Sequence, residues 1–347
     1  MAKYNAFFLS LMNYVYNKLT KFYRSPMALR YPSVIKIEVT THCNLRCPLC
    51  FKGAGMMTRP QGHMNMSVFK KVIDQAGGHC TEVTLTNFGE NFLNNNIYEM
   101  ISYAKAKHIK NVSTFSNFLT VSRQNIAEIV SSGLDEIVIS LDGIDQGTYE
   151  KFRVGGNVNT VINNLKLLIE EKKKRGSKKP FVEVQCLLTK DTEGKIGKIN
   201  SFLTDLGPDS VAFKALFLYI RDFNRLTKND LDKAYRFLPK QEQLRVYKLD
   251  NNRINWRWPI NVKSCIDPWR SITVTWDGKI IPCCFDWDAE YSMGDITKEH
   301  FSQIWNGAKY RKLRSDFLSG NLELCKNCPE SVFDKFFMKP EKFIYKK

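Results

Sequence analysis

The sequence predicts an α/β fold: a partial (βα)6 barrel of the TIM type followed by a small cysteine-bearing module. Three observations carry that prediction. Strand-like and helix-like segments alternate from Val34 to Lys214, the pattern of consecutive right-handed βαβ units around a parallel sheet. The alternation supplies six strands, fewer than the eight of a closed barrel. Eight of the ten cysteines fall into two spaced groups near opposite ends of the chain.

A length of 347 residues suits two or three domains, or one large domain with a satellite. Apolar residues at 43% suffice for a packed core, and charged residues at 25% argue against disorder. Lys plus Arg number 52 against 35 Asp plus Glu, a formal net charge of +17. That balance favours anionic partners, such as phosphorylated substrates or an acidic membrane surface, or it simply serves solubility. Met1 to Ser10 lacks the long apolar run and cleavage site of a signal peptide. No stretch reaches the ~18 uninterrupted apolar residues of a membrane-spanning helix. The expectation is a cytoplasmic protein, and in a reducing compartment clustered cysteines read as metal ligands.

Within residues 1–32, Phe7, Phe8, Leu11, Met12, Val15, Leu19 and Phe22 recur at helical spacing, flanked by Lys3, Lys18, Lys21 and Arg24. This amphipathic helix either covers the main domain or rests on the inner face of a membrane. Residues 33–214 form the barrel. Its strands are expected at Val34–Val39, Glu82–Thr86, Asn111–Phe115, Glu136–Leu141, Phe181–Leu187 and Ser210–Lys214. Helices are expected near Ser67–Gln75, Ile97–Lys107, Ser122–Ser131, Val161–Lys174 and Lys195–Leu206. Residues 215–264 carry Tyr219, Phe223, Tyr235, Phe237, Tyr247, Trp256 and Trp258 among many basic residues, and read as a linker over the barrel mouth. In the module at 265–330, Trp276-Asp277-Gly278-Lys279 looks like a hairpin turn, and Ile304–Leu318 like a helix leading to the last cysteine pair. Residues 331–347 are a basic, aromatic tail.

The first cysteine group reads Thr41-His42-Cys43-Asn44-Leu45-Arg46-Cys47-Pro48-Leu49-Cys50, directly after the first strand. Three thiolates in one loop can ligate three irons of a cubane, whereas a closed cluster needs four. The fourth iron is then free to bind the amino and carboxylate groups of S-adenosylmethionine (SAM) and pass an electron to its sulfonium, yielding a 5′-deoxyadenosyl radical. The alternative is a zinc site, which prefers four tetrahedral ligands; His42, beside Cys43, is badly placed as a fourth. Cys265, Cys283, Cys325 and Cys328 can close a four-thiolate site for a second cluster or a structural zinc, with Cys284 as a competing ligand. Cys80 and Cys186 read as buried small hydrophobes.

Functional residues of βα barrels sit at the C-terminal strand ends. Asn87-Phe88-Gly89-Glu90 follows the second strand, Ser116-Asn117 the third, and Ser140-Leu141-Asp142-Gly143 ends the fourth; Gln185 and Leu187 lie on the fifth. Each also has a structural reading: Gly89 and Asn117 as turn formers, Asp142 as a loop cap.

CNLRCPLC resembles the CxxxCxxC signature of the radical SAM superfamily, with Leu49 where an aromatic is common and Phe51 after the last cysteine. The resemblance implies that Cys43, Cys47 and Cys50 hold the catalytic SAM-binding [4Fe–4S] cluster. It implies SAM contacts from Phe51, from Gly89 and Glu90 in a GGE-type motif, from Ser116 and Asn117, and from Ser140 and Asp142 in the family's SLDG text. It adds Arg153, at the end of a YEKFR stretch, toward the SAM carboxylate, and Leu187 against adenine. Residues 265–330, with GDITKEHFSQIWN from Gly294 to Asn306, resemble the SPASM/twitch extension in its short form. That form implies one auxiliary [4Fe–4S] cluster on Cys265, Cys283, Cys325 and Cys328. The expected activity is SAM cleavage and hydrogen abstraction, for net oxidation (dehydrogenation or crosslinking) of a sugar, cyclitol or phosphate-bearing biosynthetic intermediate. The alternatives are a ribosomal-peptide maturase and a non-catalytic zinc or iron–sulfur module. The expected partners are a reductant such as flavodoxin or ferredoxin and a small-molecule or peptide substrate, with no nucleic acid.

Overall fold

A computed structural model describes residues 24–218, 226–250, 253–326, 328 and 337–338, and residues 12, 15, 16 and 19 of the leading segment. The alternation in the sequence folds as parallel βα repeats. β1 (Val34–Ile37), β2 (Glu82–Leu85), β3 (Asn111–Ser116), β4 (Glu136–Ser140), β5 (Phe181–Leu188) and β6 (Ser210–Ala215) lie side by side in that order, all parallel. Between them run α1 (Met66–Ala76), α2 (Ile97–Ala106), α3 (Arg123–Ser131), α4 (Gln146–Phe152) with α5 (Val158–Lys174), and α6 (Ile196–Asp205). Among the differences from the expected spans, two are set by N-caps. The Asp145 side chain accepts from Thr148 N at 2.8 Å and starts the unexpected α4. Asn157 caps Thr160 N at 3.0 Å, so α5 begins at Val158 rather than Val161; such a cap stabilises a helix by about 1 kcal/mol.

The segment expected to be a linker is more ordered than that. It holds α7 (Lys228–Phe237) and an antiparallel pair, β7 (Tyr247–Asp250) and β8 (Arg253–Trp256). Ala234, Phe237, Tyr247 and Ile254 are buried together with Leu45 of the cysteine loop and Phe152 of α4. This lobe therefore caps the first cysteine group with apolar side chains. Tyr219 and Phe223 lie outside the described residues.

The C-terminal module joins the barrel sheet. After α8 (Asp267–Arg270), β9 (Ser271–Val274) pairs parallel with β1, and β10 (Lys279–Ile281) and β11 (Gly294–Asp295) continue antiparallel. At the other edge β12 (Phe337–Met338) pairs antiparallel with β6, making ten strands in all. The expected helix over Ile304–Leu318 is two helices, α9 (Phe301–Trp305) and α10 (Ala308–Ser319). They part at Gly307, where a Cβ would stand 2.5 Å from the Gln303 carbonyl oxygen.

Alternate side chains of a strand point to opposite faces. Ile35, Val83, Val112, Ile137 and Val184 are fully buried in the main core with the helices. The other face is polar: the register aligns Thr273, Lys36, Thr84, Ser113 and Glu136 in one row across five strands. A closed barrel fills that space with branched apolar side chains; this one lines much of it with hydroxyls and charges, beside Phe115, Val138 and Leu187. Cys186 is fully buried and Cys80 nearly so.

Residues 24–30 are pinned to the C-terminal module. The Trp269 and Trp305 indoles donate to the Ser25 and Arg30 carbonyls, both at 2.7 Å, and Asn306 exchanges two 2.9 Å bonds with the Ala28 backbone. Residues 12, 15, 16 and 19 are helical, and Met12, Val15 and Leu19 are exposed. Phe7, Phe8, Leu11 and Phe22 lie outside the described residues, as does the tail apart from β12. No helix among the described residues is long and apolar enough to cross a membrane.

Candidate active site and second cysteine site

The first cysteine loop leaves the end of β1 and folds back on itself. Cys50 N donates to the Cys47 carbonyl (3.2 Å), and Ala54 N to the Cys50 carbonyl (2.7 Å). Close backbone approach requires two glycines. A Cβ on Gly53 would stand 2.5 Å from Cys47 N and O. Gly89, at φ +85°, would put one 2.5 Å from the Thr40 carbonyl oxygen, while Glu90 N donates to the His42 carbonyl (2.7 Å). The end of β2 is thus fastened to the cysteine loop. Cys47 is buried, and Cys43 and Cys50 are half-buried. Burial pushes the Cys43 thiol up to about 11 and raises Cys47 against the pull of Arg153.

Charged and polar side chains from the next strand ends surround this loop. Glu90 is 2% exposed and accepts from Ser116 Oγ and Asn117 N, both at 2.7 Å. Its carboxylate therefore ties β2 to β3, while its main chain meets the cysteine loop. Asn117 Nδ2 reaches Asn44 Oδ1 inside that loop at 2.8 Å. Buried Asp142 accepts from Leu187 N at 2.7 Å and pairs with the Arg153 guanidinium, whose Nη1 lies 4.0 Å from Cys47 Sγ. Ser140 ends β4 on the polar face, in register with Gln185. The structure thus gathers Gly89, Glu90, Ser116, Asn117, Asp142, Arg153 and Leu187 around the three cysteines.

Phe51 has a different setting. Its ring is 1% exposed, stacked on Trp287 of the C-terminal module at 3.8 Å, with Phe88 at its edge. A buried ion pair reinforces this junction. Arg59 grips Glu38 with both guanidinium ends (Nη1 to Oε1 2.8 Å) and donates through Nε to the Trp287 carbonyl at 2.6 Å; Trp276 N donates to Glu38 Oε1 at 3.3 Å. Sequence reading missed Asn44, Glu38, Arg59 and Trp287. Their partners lie far along the chain, and no spacing marks them.

The second cysteine group converges. Cys265 precedes α8, Cys283 follows β10, and Cys325 and Cys328 follow α10. All four line one cavity of about 450 Å³, its open mouth included, among Val262, Pro282, Leu313, Phe317 and Leu324. Cys284 is not in that lining; its Sγ lies 3.9 Å from Lys36 Nζ. A hydrogen bond between Cys283 and Cys284 pulls Cys284 down to about 6, helped by Lys36, and drives Cys283 up. Burial pushes Cys325 up to about 11. Among the described residues no three His, Cys, Asp or Glu side chains converge as they would on a single ion. The four thiols share that one cavity. The donor sets fit a cubane with one open corner in the barrel and a fully ligated one in the module.

Comparison with known proteins agrees with this division. A family model for the radical SAM superfamily matches residues 37–184, and one for the SPASM iron–sulfur cluster-binding domain matches residues 265–329. Among similar proteins is the tungsten-containing aldehyde ferredoxin oxidoreductase cofactor-modifying protein of Pyrococcus furiosus, 23% identical over 80% of this chain and 82% of that protein. Another is the AdoMet-dependent heme synthase of Methanosarcina barkeri, 21% identical over 85% of this chain and 88% of that protein. The fold also resembles SAM-bound SuiB of Streptococcus suis, with a TM-score of 0.61 and 15% identity over 87% of this chain and 73% of that one. The chain thus carries a radical SAM domain, with SAM and a [4Fe–4S] cluster as cofactors, followed by a C-terminal SPASM domain for auxiliary iron–sulfur binding.

Proposed function

We propose that this enzyme oxidises a polar small molecule, a sugar, cyclitol or phosphate-bearing biosynthetic intermediate, by hydrogen abstraction at the polar inner face of the barrel. That face carries the reading: hydroxyls and charges at Lys36, Thr84, Ser113, Glu136 and Gln185 suit a hydroxylated or anionic guest. Cys43, Cys47 and Cys50 would hold the first cluster, which with SAM supplies the 5′-deoxyadenosyl radical. The Gly89 and Glu90 main chain would receive the SAM amino group, and Arg153 its carboxylate. Asp142 orients Arg153 and the Leu187 backbone, which sets Leu187 against the adenine. Ser116, Asn117 and Ser140 supply polar contacts, and Phe51 fixes the loop that carries Cys50. Cys265, Cys283, Cys325 and Cys328 would hold the auxiliary cluster, whose full ligation leaves it electron transfer as its chemistry; that suits net oxidation. A flavodoxin or ferredoxin is the fitting reductant. Two relatives named for work on a cofactor and on haem support a small-molecule substrate.

Anaerobic incubation with deuterated candidates tests this reading. Deuterium should pass from a sugar, cyclitol or phosphorylated compound into 5′-deoxyadenosine. Transfer only from peptides would sink it and favour a peptide maturase.

We also infer peripheral contact with an anionic membrane. Five of the nine exposed large hydrophobic residues among the described ones are Met12, Val15, Leu19, Met27 and Leu29. The Leu29 amide donates to the Tyr16 hydroxyl at 3.2 Å, joining the loop to the helix. Co-sedimentation with phosphatidylglycerol vesicles, lost on Leu19→Glu/Leu29→Glu, is the expected result; equal binding by both proteins refutes it.

A further inference from the structure

We infer that Arg153 raises the reduction potential of the barrel cluster through its guanidinium contact with the Cys47 thiolate. This rests on the reading of Cys47 as an iron ligand, and it stands beside the contact proposed between Arg153 and SAM. Cation and sulfur meet directly, with Arg153 Nη1 4.0 Å from Cys47 Sγ. Three other cysteine sulfurs have neutral donors. Cys43, Cys265 and Cys283 accept from the amides of Leu45, Asp267 and Phe285, two residues on, at 3.4, 3.4 and 3.5 Å. Cys47 receives a full positive charge instead.

The fold holds that charge in place. Arg153 follows α4, and its amide donates to the Tyr149 carbonyl at 2.9 Å. The turn it begins lies on the cysteine loop: Arg46 N donates to the Val154 carbonyl at 3.0 Å, and a Cβ on Gly156 would stand 3.2 Å from Leu45 Cδ2. Asp142 fixes the guanidinium. One of its carboxylate oxygens accepts from Leu187 N at 2.7 Å, the other from Arg153 Nε. Nη2 makes no hydrogen bond among the described residues, which leaves that end for the SAM carboxylate. The Asp142 side chain is 1% exposed, that of Arg153 16%, and Cys47 is buried, so salt and water screen the contact little. A cation there favours the cluster carrying one more electron, and contacts to cluster sulfur help set such potentials.

Asp142 carries the opposite charge, and removing Arg153 alone strands it. The comparison that isolates Arg153 is therefore Asp142→Asn against Asp142→Asn/Arg153→Gln, both reconstituted and titrated without SAM. The barrel cluster is the one whose EPR signal responds when SAM is added afterwards. The double variant should keep its iron and show the more negative potential, by at least about 59 mV, tenfold in a one-electron equilibrium. Asp142→Asn alone, with the cation unopposed, should lie positive of wild type; a negative shift there overturns the proposal. Equal potentials in the two variants also overturn it. SAM bound tenfold more weakly by the double variant would then make Arg153 a SAM ligand alone, and unchanged affinity would make it a packing residue. Should Arg153→Gln fail to load iron, Asp142→Asn/Arg153→Met, with an apolar chain in place of the charge, carries the same comparison, and equal potentials again refute. Cys47→Ala tests the underlying reading separately: full iron loading there removes Cys47 from the cluster, a failure seen in metal content rather than in a potential.

Discussion

The two cysteine sites differ in how the chain builds them and in what surrounds the sulfurs. In the barrel, three cysteines within eight residues share one loop, ringed by Glu90, Asp142, Arg153 and Asn117. In the module, four cysteines spread from 265 to 328 meet in a cavity walled by Val262, Leu313, Phe317 and Leu324. The contrast follows from chemistry. An open iron corner takes a zwitterionic ligand, so the protein places fixed charges and backbone donors around it. A closed corner set needs only ligands and shelter, and apolar walls provide that while tuning the potential through burial. The barrel group thus combines fixed charges with the apolar lobe of α7, β7 and β8, whereas the module group sits mainly among apolar walls, with Asp267 at its edge.

This contrast breaks most visibly at the ligands. Replacing Cys43, Cys47 or Cys50 with Ala should abolish reductive SAM cleavage and lower iron from about eight to about four per chain; cleavage surviving in any of the three removes that residue from the site. The Cys325→Ala/Cys328→Ala variant should lose a similar share of iron yet keep SAM cleavage while losing product. Solubility and barrel-cluster content must be checked first, because metal sites stabilise small modules. Unchanged product yield there would make the module purely structural.

A smaller effect separates the surroundings. Asp142→Ala leaves the Arg153 charge unpaired beside Cys47, a loss of about 3–5 kcal/mol for a broken buried pair. Thermal melting of the iron-free protein should fall accordingly, and Asp142→Asn should recover part of the loss by keeping the Leu187 hydrogen bond. Equal stability of wild type and Asp142→Ala would show that solvent reaches the pair. The smallest effect sharpens the ligand set. Cys284→Ser should keep about eight irons, whereas Cys283→Ser should drop toward four; the reverse would move the ligand to the residue facing Lys36.

Local chemistry made much of the barrel site legible. CNLRCPLC after a strand, Gly89-Glu90, Ser116-Asn117 and SLDG each occupy a short stretch, and the βα alternation alone puts strand ends at one mouth. The six strands of the partial barrel were legible for the same reason, since period and length are local properties. The second site was legible as a ligand count. What separates Cys283 from Cys284 is direction, and only the pairing of β10 with β9 decides that.

By itself, then, the sequence determined the order of parallel strands, the open three-thiolate loop and the number of thiols in the module. Tertiary structure alone decided that the module's hairpin extends the barrel sheet beside β1, and that Arg59 reaches back to Glu38. It also decided that Phe51 stacks on Trp287. Each of these depends on residues far apart in sequence. Their energy comes from excluding water between surfaces that no local period describes.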